Sequence, residues 1–489
     1  MEERGEPLQS KFVRKIRDPI YGYIPITGLE ARVIDTSTFQ RLDRLFQMPT
    51  ARLVYPGAAH TRKSHSLGTM HLAHRAICSI LYRQHTELRS AVKPLLYTGA
   101  PEEDEFYEGD VGPVLDDLSK VFPLPNEGDL SGLEDLVQRA RLAGLLHDVG
   151  HGPFSHLFEQ AFPHFEHQKM SARIVRDVLV KKDKALRRET AEFVADLLED
   201  KLPREQRFLF DLISGVWGCD NLDYLVRDSY HAGTPEYGEL DVERIIDGLV
   251  VCDKGAMGVR EAELGAMLDG LYAMFSMYSS VYFHKTSKVF DQMVLDVFET
   301  RHAKFEAAVS DPRELLKHDD LKLMAARAMT PFANREKLYR VVGRQRLDFS
   351  LALLATSGYP EFKAKVKQIG ARVKSCGLRL GVHLITHARP IRYVRIEPEA
   401  VMSWIKEVPI YRPGYPKTLE LRETGVSEFV LLSRMNVPIT VLAPSAQVAD
   451  VTARRNVEKA VRKALLRAVN RLLQDFYGRF FREKFQPLA

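Results

Sequence analysis

Ten of the sixteen histidines lie between positions 60 and 167, and the densest stretch reads HDVGHGPFSH from His147 to His156. Neutral imidazole and carboxylate together form the donor set of borderline and hard divalent ions. Such a mixed set with open coordination positions suits the hydrolysis of phosphate esters. Thiolates do not contribute: Cys78, Cys219, Cys252 and Cys376 are scattered without a Cys-x-x-Cys spacing, so neither a zinc-thiolate site nor a disulfide framework is indicated. Adjacent residues such as His147 and Asp148 point about 100° apart on a helix, so both reach one ion only off a helix edge. The remaining ligands must come from elsewhere in the chain, and His65 and Asp220 are well-typed candidates. His60, His71, His74, His85 and His164 are expected to be structural, the ordinary fate of a single histidine.

The elements that would hold these side chains are mostly helices. DPIYGYIPI at 18–26 reads as an entry strand or turn, followed by helical periodicity from Leu29 through FQRLDRLFQM to Pro49. In the run 65–84, Leu67, Met70, Ala73, Ile77, Ile80 and Leu81 recur at helical spacing, with His65 near the start. A further helix is predicted over 133–150, breaking at Gly150 and Gly152-Pro153 and restarting through FSHLFEQAF, and another carries HQKMSARIVRDVL. Residues 207–230 predict two helical pieces separated near Gly218, and 262–300 predict long helices rich in Met, Tyr and Phe. Residues 86–134 read as an irregular acidic insertion containing PEEDEFYEGD. Beyond residue 377, short β-branched runs (LRLGVHLIT, IRYVRIE, TLELRE, FVLLS, PITVLA) predict a small α+β module. It ends in a helix from about Val451 with an apolar stripe and a basic face that includes Arg454, Arg455, Lys459 and Arg462.

The fold class is therefore mainly α, with a helical core over about 12–340 and an α+β region over 341–489. At 489 residues, 45% hydrophobic and 28% charged, the chain has the composition of a folded globular protein. A net charge of +5 is too weak at this length to indicate a nucleic-acid binder. No stretch approaches the ~20 apolar residues that span a bilayer, and the N-terminal residues hold no apolar signal segment, so no membrane association and a cytoplasmic location are expected.

The ordered set of His65 in HSLG, His147-Asp148 in LLHDVGHGPFSH and Asp220 in GCDNLDYLVRDSYHAG resembles the H…HD…D signature of the HD superfamily. With DPIYGYI, FQRL, YPGAAHTRKSHSLG and YFHKT, the chain over residues 12–300 resembles the HD-domain dNTP triphosphohydrolases, both bacterial dGTPase-like enzymes and the HD core of the vertebrate SAM-and-HD-domain dNTPase. The resemblance implies His65, His147, Asp148 and Asp220 as metal ligands. It implies His151, His156 and His167 as catalytic, with Glu159 orienting His156, and imidazole is chemically apt because it titrates near neutral pH. It further implies Arg62 on an α-phosphate oxygen, Gln47 and Asp228 on the sugar 3′-hydroxyl, and Tyr224 and Tyr282 in the sugar pocket. The implied reaction cleaves a dNTP to deoxynucleoside and inorganic triphosphate. Iron, manganese, zinc, nickel or cobalt suits the N/O ligands, with magnesium on the phosphates.

Four departures stand out. Asn221 replaces the phosphate-binding Lys of the vertebrate enzyme, so triphosphate binding would draw on other cations, Lys285 or Arg227. Gln168 stands where the family often has Glu, although Glu166 precedes His167. Asp43 replaces an Arg of the vertebrate activator site, whereas Asp35 and Gln40 match it, leaving an activating nucleotide open. No SAM domain is expected ahead of the core. Family members that nucleotides activate form tetramers, so a homo-oligomer is expected. Two alternatives stay open: an HD phosphatase, phosphodiesterase or nuclease acting on another nucleotide or on single-stranded DNA, and a nucleotide-sensing or nucleic-acid-binding protein with a vestigial site.

Overall fold

The computed structural model describes residues 12–84, 131–215, 217–252, 255–350, 379–382, 409–411, 419–420 and 434–459. The chain is mainly helical with small sheets, as its periodicity predicts. It divides into two compact units, one comprising Met1–Met274, Arg301–Leu323 and Val408–Glu420, the other Phe275–Thr300, Met324–Glu407 and Leu421–Ala489. The acidic insertion falls almost wholly outside the described residues, as do Cys376 and the C-terminal helix beyond Lys459.

The first unit opens with an antiparallel hairpin, β1 (Phe12–Asp18) and β2 (Gly22–Thr27), that leads into α1 (Gly28–Ile34). Thr27 and Glu30 form a capping box, Glu30 N–H donating to Thr27 Oγ1 at 3.2 Å and Thr27 N–H to Glu30 Oε2 at 2.9 Å. The helical stretch predicted from Leu29 to Pro49 is not continuous. Thr36 caps a separate α2 (Ser37–Gln40), a short 3₁₀ turn follows, and the chain extends at Leu45 so that Phe46 bridges Thr61. A second Thr in a cap position, whose hydroxyl bonds the Phe39 N–H, outcompetes the apolar period there.

The core is organised around α3 (Arg62–Gln84), which is buried on nearly every side and packs on α4 (Ser131–Leu146) and on α9 (Cys219–Ala232). Smaller helices complete it: α5 (His156–Ala161), α6 (His167–Arg173), α7 (Arg188–Leu198), α8 (Arg207–Ser214) and α10 (Val242–Gly248), and α11 (Leu264–Met277) follows in sequence. The break near Gly218 separates α8 from α9, as predicted. Helix α1 docks through a fully buried ion pair, Arg141 Nε and Nη2 donating to Glu30 Oε1 at 2.6 Å and Oε2 at 2.8 Å, while Arg141 Nη2 also donates to Pro25 O of β2 at 2.7 Å. A buried pair of this geometry specifies one docking register more than it adds net stability. Strands β3 (Leu249–Cys252) and β4 (Ala256–Arg260) join β7 (Pro409–Tyr411) and β8 (Leu419–Glu420) in the order β3-β4-β7-β8, with β4 and β7 parallel.

In the second unit α12 (Lys285–Thr300) packs Phe290 edge-on against Phe332 with centroids 5.7 Å apart, and the Tyr339 hydroxyl donates to Asp296. Its sheet places β9 (Arg434–Pro444) between β5 (Tyr339–Ser350) and β6 (Arg379–Val382). β5 is not among the predicted runs, because it carries five charged or amide side chains in twelve residues and lacks a clean alternation. IRYVRIE and FVLLS lie outside the described residues. Among these residues no helix is long and apolar enough to cross a membrane.

His71, on the buried side of α3 with its ring 5.1 Å from that of Tyr21, is pushed down to about 3 by burial and by Arg75, Arg141 and Arg227. A depressed imidazole contributes stability that is complete above the unfolded value of about 6.5 and is lost as pH falls toward 3. Between pH 7 and 5 this residue alone should cost about 2 kcal/mol. Urea unfolding at both pH values checks it: the His71→Gln variant should show a smaller drop than wild type by that amount.

Candidate metal centre and active site

Close approach of three helices creates the centre. Gly144 of α4 lies against the backbone of α3, where an added Cβ would stand 3.0 Å from Met70 Cα, and Gly68 of α3 leaves room for Asp223 and Arg227 of α9. A Cβ at Gly68 would fall 1.8 Å from Asp223 Oδ1, so only glycine lets α9 come this near. His65 is delivered by the first turn of α3. His147 and Asp148 do not ride on a helix running to Gly150: α4 ends at Leu146, and both lie in the turn that follows. The turn leaves the helix early because its backbone finds other partners, Gly150 N–H donating to Ser171 Oγ at 2.9 Å and Ser171 Oγ to His147 O at 2.7 Å. Asp220 sits in the first turn of α9.

The four side chains converge. His65 Nε2 lies 3.2 Å from His147 Nε2, 3.1 Å from Asp220 Oδ1 and 3.6 Å from Asp148 Oδ2. His147 Nε2 lies 3.4 Å from Asp148 Oδ1 and 3.7 Å from Asp220 Oδ1. Donors bound at about 2.0–2.2 Å to a common first-row ion stand roughly 3–3.6 Å from one another, so His65, His147 and Asp220 could share a divalent cation, with Asp148 adjoining both histidines. His147 Nδ1–H donates to Gly144 O at 2.8 Å, and His65 Nδ1–H to Asp223 Oδ2 at 2.7 Å, a tautomer that leaves both Nε2 lone pairs facing the centre. Burial opposes protonation of His65, but hydrogen bonds to Asp220 and Asp223 outweigh it and raise the ring to about 10. His147 is raised in the same way by Asp148 and Asp220. Asp148 is held well below the usual carboxylate range against its burial by Arg62 and the histidines. The centre is thus an anionic site that favours a cation.

Asp223 is missing from the sequence reading and is the second support of His65. Arg227 Nε and Nη2 donate to it, both at 2.9 Å, and Arg227 Nη1 donates to Asp18 Oδ2 at 2.8 Å. Its three-residue spacing from Asp220 and four-residue spacing to Arg227 on one helix were signals that could have found it. The same contacts remove Arg227 from the candidates for triphosphate binding, because a fully buried guanidinium between two carboxylates has no path to a ligand. Asn221 is turned to the backbone, donating to Gly215 O at 2.9 Å. Lys285 begins α12 in the second unit.

A second cluster adjoins the first through Asp148. His151 Nε2 lies 3.2 Å from Asp148 Oδ1, and its ring stacks on His167 at 3.9 Å and meets His156 edge-on at 4.9 Å. Glu159 links the other two, Oε1 2.6 Å from His167 Nδ1 and Oε2 3.2 Å from His156 Nδ1. It therefore fills the role that Glu166 or Gln168 would have been asked to play at His167; Glu166 pairs with Lys169 instead. Burial draws His156 down to about 4, with Arg62 and His167 adding to it and Glu159 opposing. Both three-histidine and His65-His147-Asp220 groups have donor atoms close enough to share an ion.

Arg62 is buried, with Nε donating to Ser155 Oγ at 2.8 Å and Nη1 to Asp148. Phe154 and Ser155, just before His156, both have positive φ, 58° and 54°. Side chains rarely adopt this region, and the strain is held by Asp320, which accepts the Phe154 N–H at 2.6 Å and the Phe46 N–H at 2.8 Å. Burial pushes Asp320 up to about 6 despite those bonds. Gln47 donates its N–H to His60 O at 3.1 Å, and Asp228 accepts from His60 Nε2 at 2.7 Å. His60, expected to be structural, is buried in this contact. Tyr224 is buried on α9 one turn from Asp220, whereas Tyr282 belongs to the second unit, its ring 4.7 Å from Tyr278. At the nucleotide site left open by the sequence, Asp35 is paired with Arg14, and Lys63 spans Gln40 at 2.9 Å and Asp43 at 3.6 Å.

Residues 124–223 match the HD domain, and residues 240–347 match the HD associated region. The deoxynucleoside triphosphate triphosphohydrolase SAMHD1 homolog of Dictyostelium discoideum is 27% identical over 320 residues, covering 62% of this chain and 53% of that protein. Human deoxynucleoside triphosphate triphosphohydrolase SAMHD1 is 25% identical over 321 residues, 58% of this chain and 44% of that protein. The uncharacterized protein YwfO of Bacillus subtilis is 29% identical over 279 residues, 56% and 52% of the two chains. The chain thus spans about half the length of these curated relatives. A crystal structure of a hypothetical protein from Aquifex aeolicus shares the fold with a TM-score of 0.62 at 21% identity, over 90% of this chain and 99% of that one. The HD domain and its associated region thus match in tandem, and over some three-fifths of its length the chain is similar to proteins named as dNTP triphosphohydrolases.

Proposed function

We propose that this chain is a metal-dependent phosphohydrolase that cleaves deoxynucleoside triphosphates to deoxynucleoside and inorganic triphosphate. The observation that carries this reading is the sharing of Asp148 between a four-donor N/O set and a three-histidine cluster tied to Glu159. His65, His147, Asp148 and Asp220 would hold the ion. When bound, it supplies Lewis acidity and a lowered pKa for water at the scissile phosphorus.

The remaining work falls to side chains. Arg62, anchored by Ser155 and Asp148, presents a cation for an α-phosphate oxygen. His156, neutral near pH 7 because burial holds its pKa down, accepts or returns a proton at the reacting oxygens while Glu159 fixes the ring. His151 and His167 stack on each other beside His156. Asp220, Tyr224 and Asp228 follow one another at four-residue intervals, a stripe about 12 Å long along α9 that can run from the ion to a sugar hydroxyl.

A second reading, hydrolysis of another nucleotide or of single-stranded DNA by the same residues, draws support from Asn221 and the burial of Arg227, which leave fewer cations for a triphosphate. Turnover of the four dNTPs, singly and mixed, with Mn²⁺, Mg²⁺ or Fe²⁺ and products resolved by anion exchange, separates the two. Equal amounts of deoxynucleoside and triphosphate, abolished by a chelator, are the expected result. Orthophosphate or nucleoside monophosphate would replace the first reading with the second.

A further inference from the structure

Three successive residues far down the chain, His318, Asp319 and Asp320, bond both of the segments that hold Arg62. On one side Arg41 Nε donates to His318 O at 2.7 Å, Arg44 Nε to Asp319 Oδ2 at 2.9 Å, and the Phe46 N–H to Asp320 Oδ2 at 2.8 Å. On the other the Phe154 N–H donates to Asp320 Oδ1 at 2.6 Å, and Arg41 Nη2 reaches across to His151 O at 2.7 Å. Asp320 is fully buried, and each of its two oxygens holds the backbone of a different segment.

Both segments end on Arg62. The Arg62 N–H donates to Leu45 O at 2.9 Å, next to Phe46, and Arg62 Nε donates to Ser155 Oγ at 2.8 Å, next to Phe154. The bonds close a circuit that runs from Asp320 through Phe46 and Leu45 to Arg62, and back through Ser155 and Phe154. One carboxylate thus sets the backbone and the side chain of Arg62 relative to each other. The circuit is held against strain. Ser155 has φ 54° and ψ −113°, the angles of the first central residue of a type II′ turn, a position that glycine fills. A serine there costs conformational energy and supplies a hydroxyl, and that hydroxyl is the one that accepts from Arg62.

We infer that Asp320 is a positioning residue for the reaction, acting through Ser155 and the Leu45–Phe46 backbone to aim the Arg62 guanidinium at the substrate phosphate. The inference rests on the reading of Arg62 as a phosphate-binding residue. A carboxylate is required because both of its oxygens accept, whereas a carboxamide has one accepting oxygen and turns its NH₂ group toward one of the two N–H donors. Asp320→Asn therefore releases one segment at nearly unchanged volume. A misplacement of about 1 Å at the guanidinium is enough to cost about 10²-fold in rate.

The test is kcat/KM for dNTP in wild type, Asp320→Asn, Arg62→Ala, the double variant of these two, Ser155→Ala and Ser155→Gly, with metal content and thermal melting measured for each. Asp320→Asn should lower kcat/KM by about 10²-fold at wild-type metal content, yet add less than about threefold to the loss in Arg62→Ala, because it acts through that side chain. Ser155→Ala and Ser155→Gly should lose activity to the same extent, within about threefold, although the glycine variant is free of strain and melts higher than the alanine variant. If Asp320→Asn does not fold, Asp320→Glu, which keeps two acceptors one methylene farther out, takes its place in the same cycle. Losses in Asp320 and Arg62 variants that multiply, or activity that returns in Ser155→Gly together with its stability, would show a merely structural clamp and overturn the inference while the proposed activity stands. Wild-type protein that turns over no dNTP would overturn the activity and the inference together.

Discussion

Asp148→Ala will lower phosphoester hydrolysis by about 10⁴-fold or more and will strip the protein of stoichiometric divalent metal, because members of a catalytic set that act as a unit are each nearly indispensable. The structural reason is the number of groups that depend on this one carboxylate. Oδ1 faces His147 at 3.4 Å and His151 at 3.2 Å, Oδ2 faces His65 at 3.6 Å, and Arg62 is anchored to it. Arg62 is 3% exposed, and removing its carboxylate leaves a desolvated guanidinium with Ser155 as its remaining partner. Breaking a buried pair in this way costs about 3–5 kcal/mol. Metal analysis, turnover and urea unfolding of metal-free protein measure the three effects separately. Asp148→Asn, which keeps shape and a hydrogen-bond acceptor, should recover most of the stability and none of the turnover. An Asp148→Ala protein that retains metal and activity would remove this residue from the centre.

His156→Ala should lower kcat by about 10²–10⁴-fold while metal content stays at the wild-type level, the loss expected for a positioned acid–base group that is not a ligand. His156 is the most exposed member of its cluster, its side chain 22% open, and it heads α5 directly after the two positive-φ residues. Glu159→Gln should reproduce most of the defect, since it weakens the bond to His156 Nδ1. The double variant should be no worse than His156→Ala alone, because the two act through one proton. Single-turnover kinetics on saturating substrate separates this from a binding defect. Full additivity, or metal lost with the ring, would mean that His156 is a ligand or a packing residue.

The helices that bear the chemistry were legible wherever a strong period met a clear stop: α3 from its apolar stripe, and α8 and α9 from the glycine between them. The H…HD…D order placed four residues that the structure brings together, His65 and His147 each lying within 3.7 Å of both Asp148 and Asp220. Legibility failed where tertiary or local polar bonds override the period. Thr36 breaks a helix that the apolar residues would have continued, and Ser171, 21 residues away, ends α4 before His147 by taking over the backbone of Gly150. Asp320 could not have been found at all. It has no local signature, and its bond to Phe154 spans 166 residues. Arg227 was misread for the opposite reason: a basic residue near a phosphate site invites a ligand role, and only the buried carboxylates on both sides of it reveal that its charge is already spoken for.

Those carboxylates run in a line that ends at the ion. Asp18 closes β1, Arg227 bridges it to Asp223, and Asp223 fixes the Nδ1 proton of His65, so the hairpin that begins the described chain is wired to the basicity of a metal-facing nitrogen. The entry hairpin is then not a peripheral ornament but the outer anchor of the centre: whatever bends it, whether an insertion, a neighbouring subunit or a bound molecule, tunes how strongly His65 gives its lone pair to a cation about three side chains away.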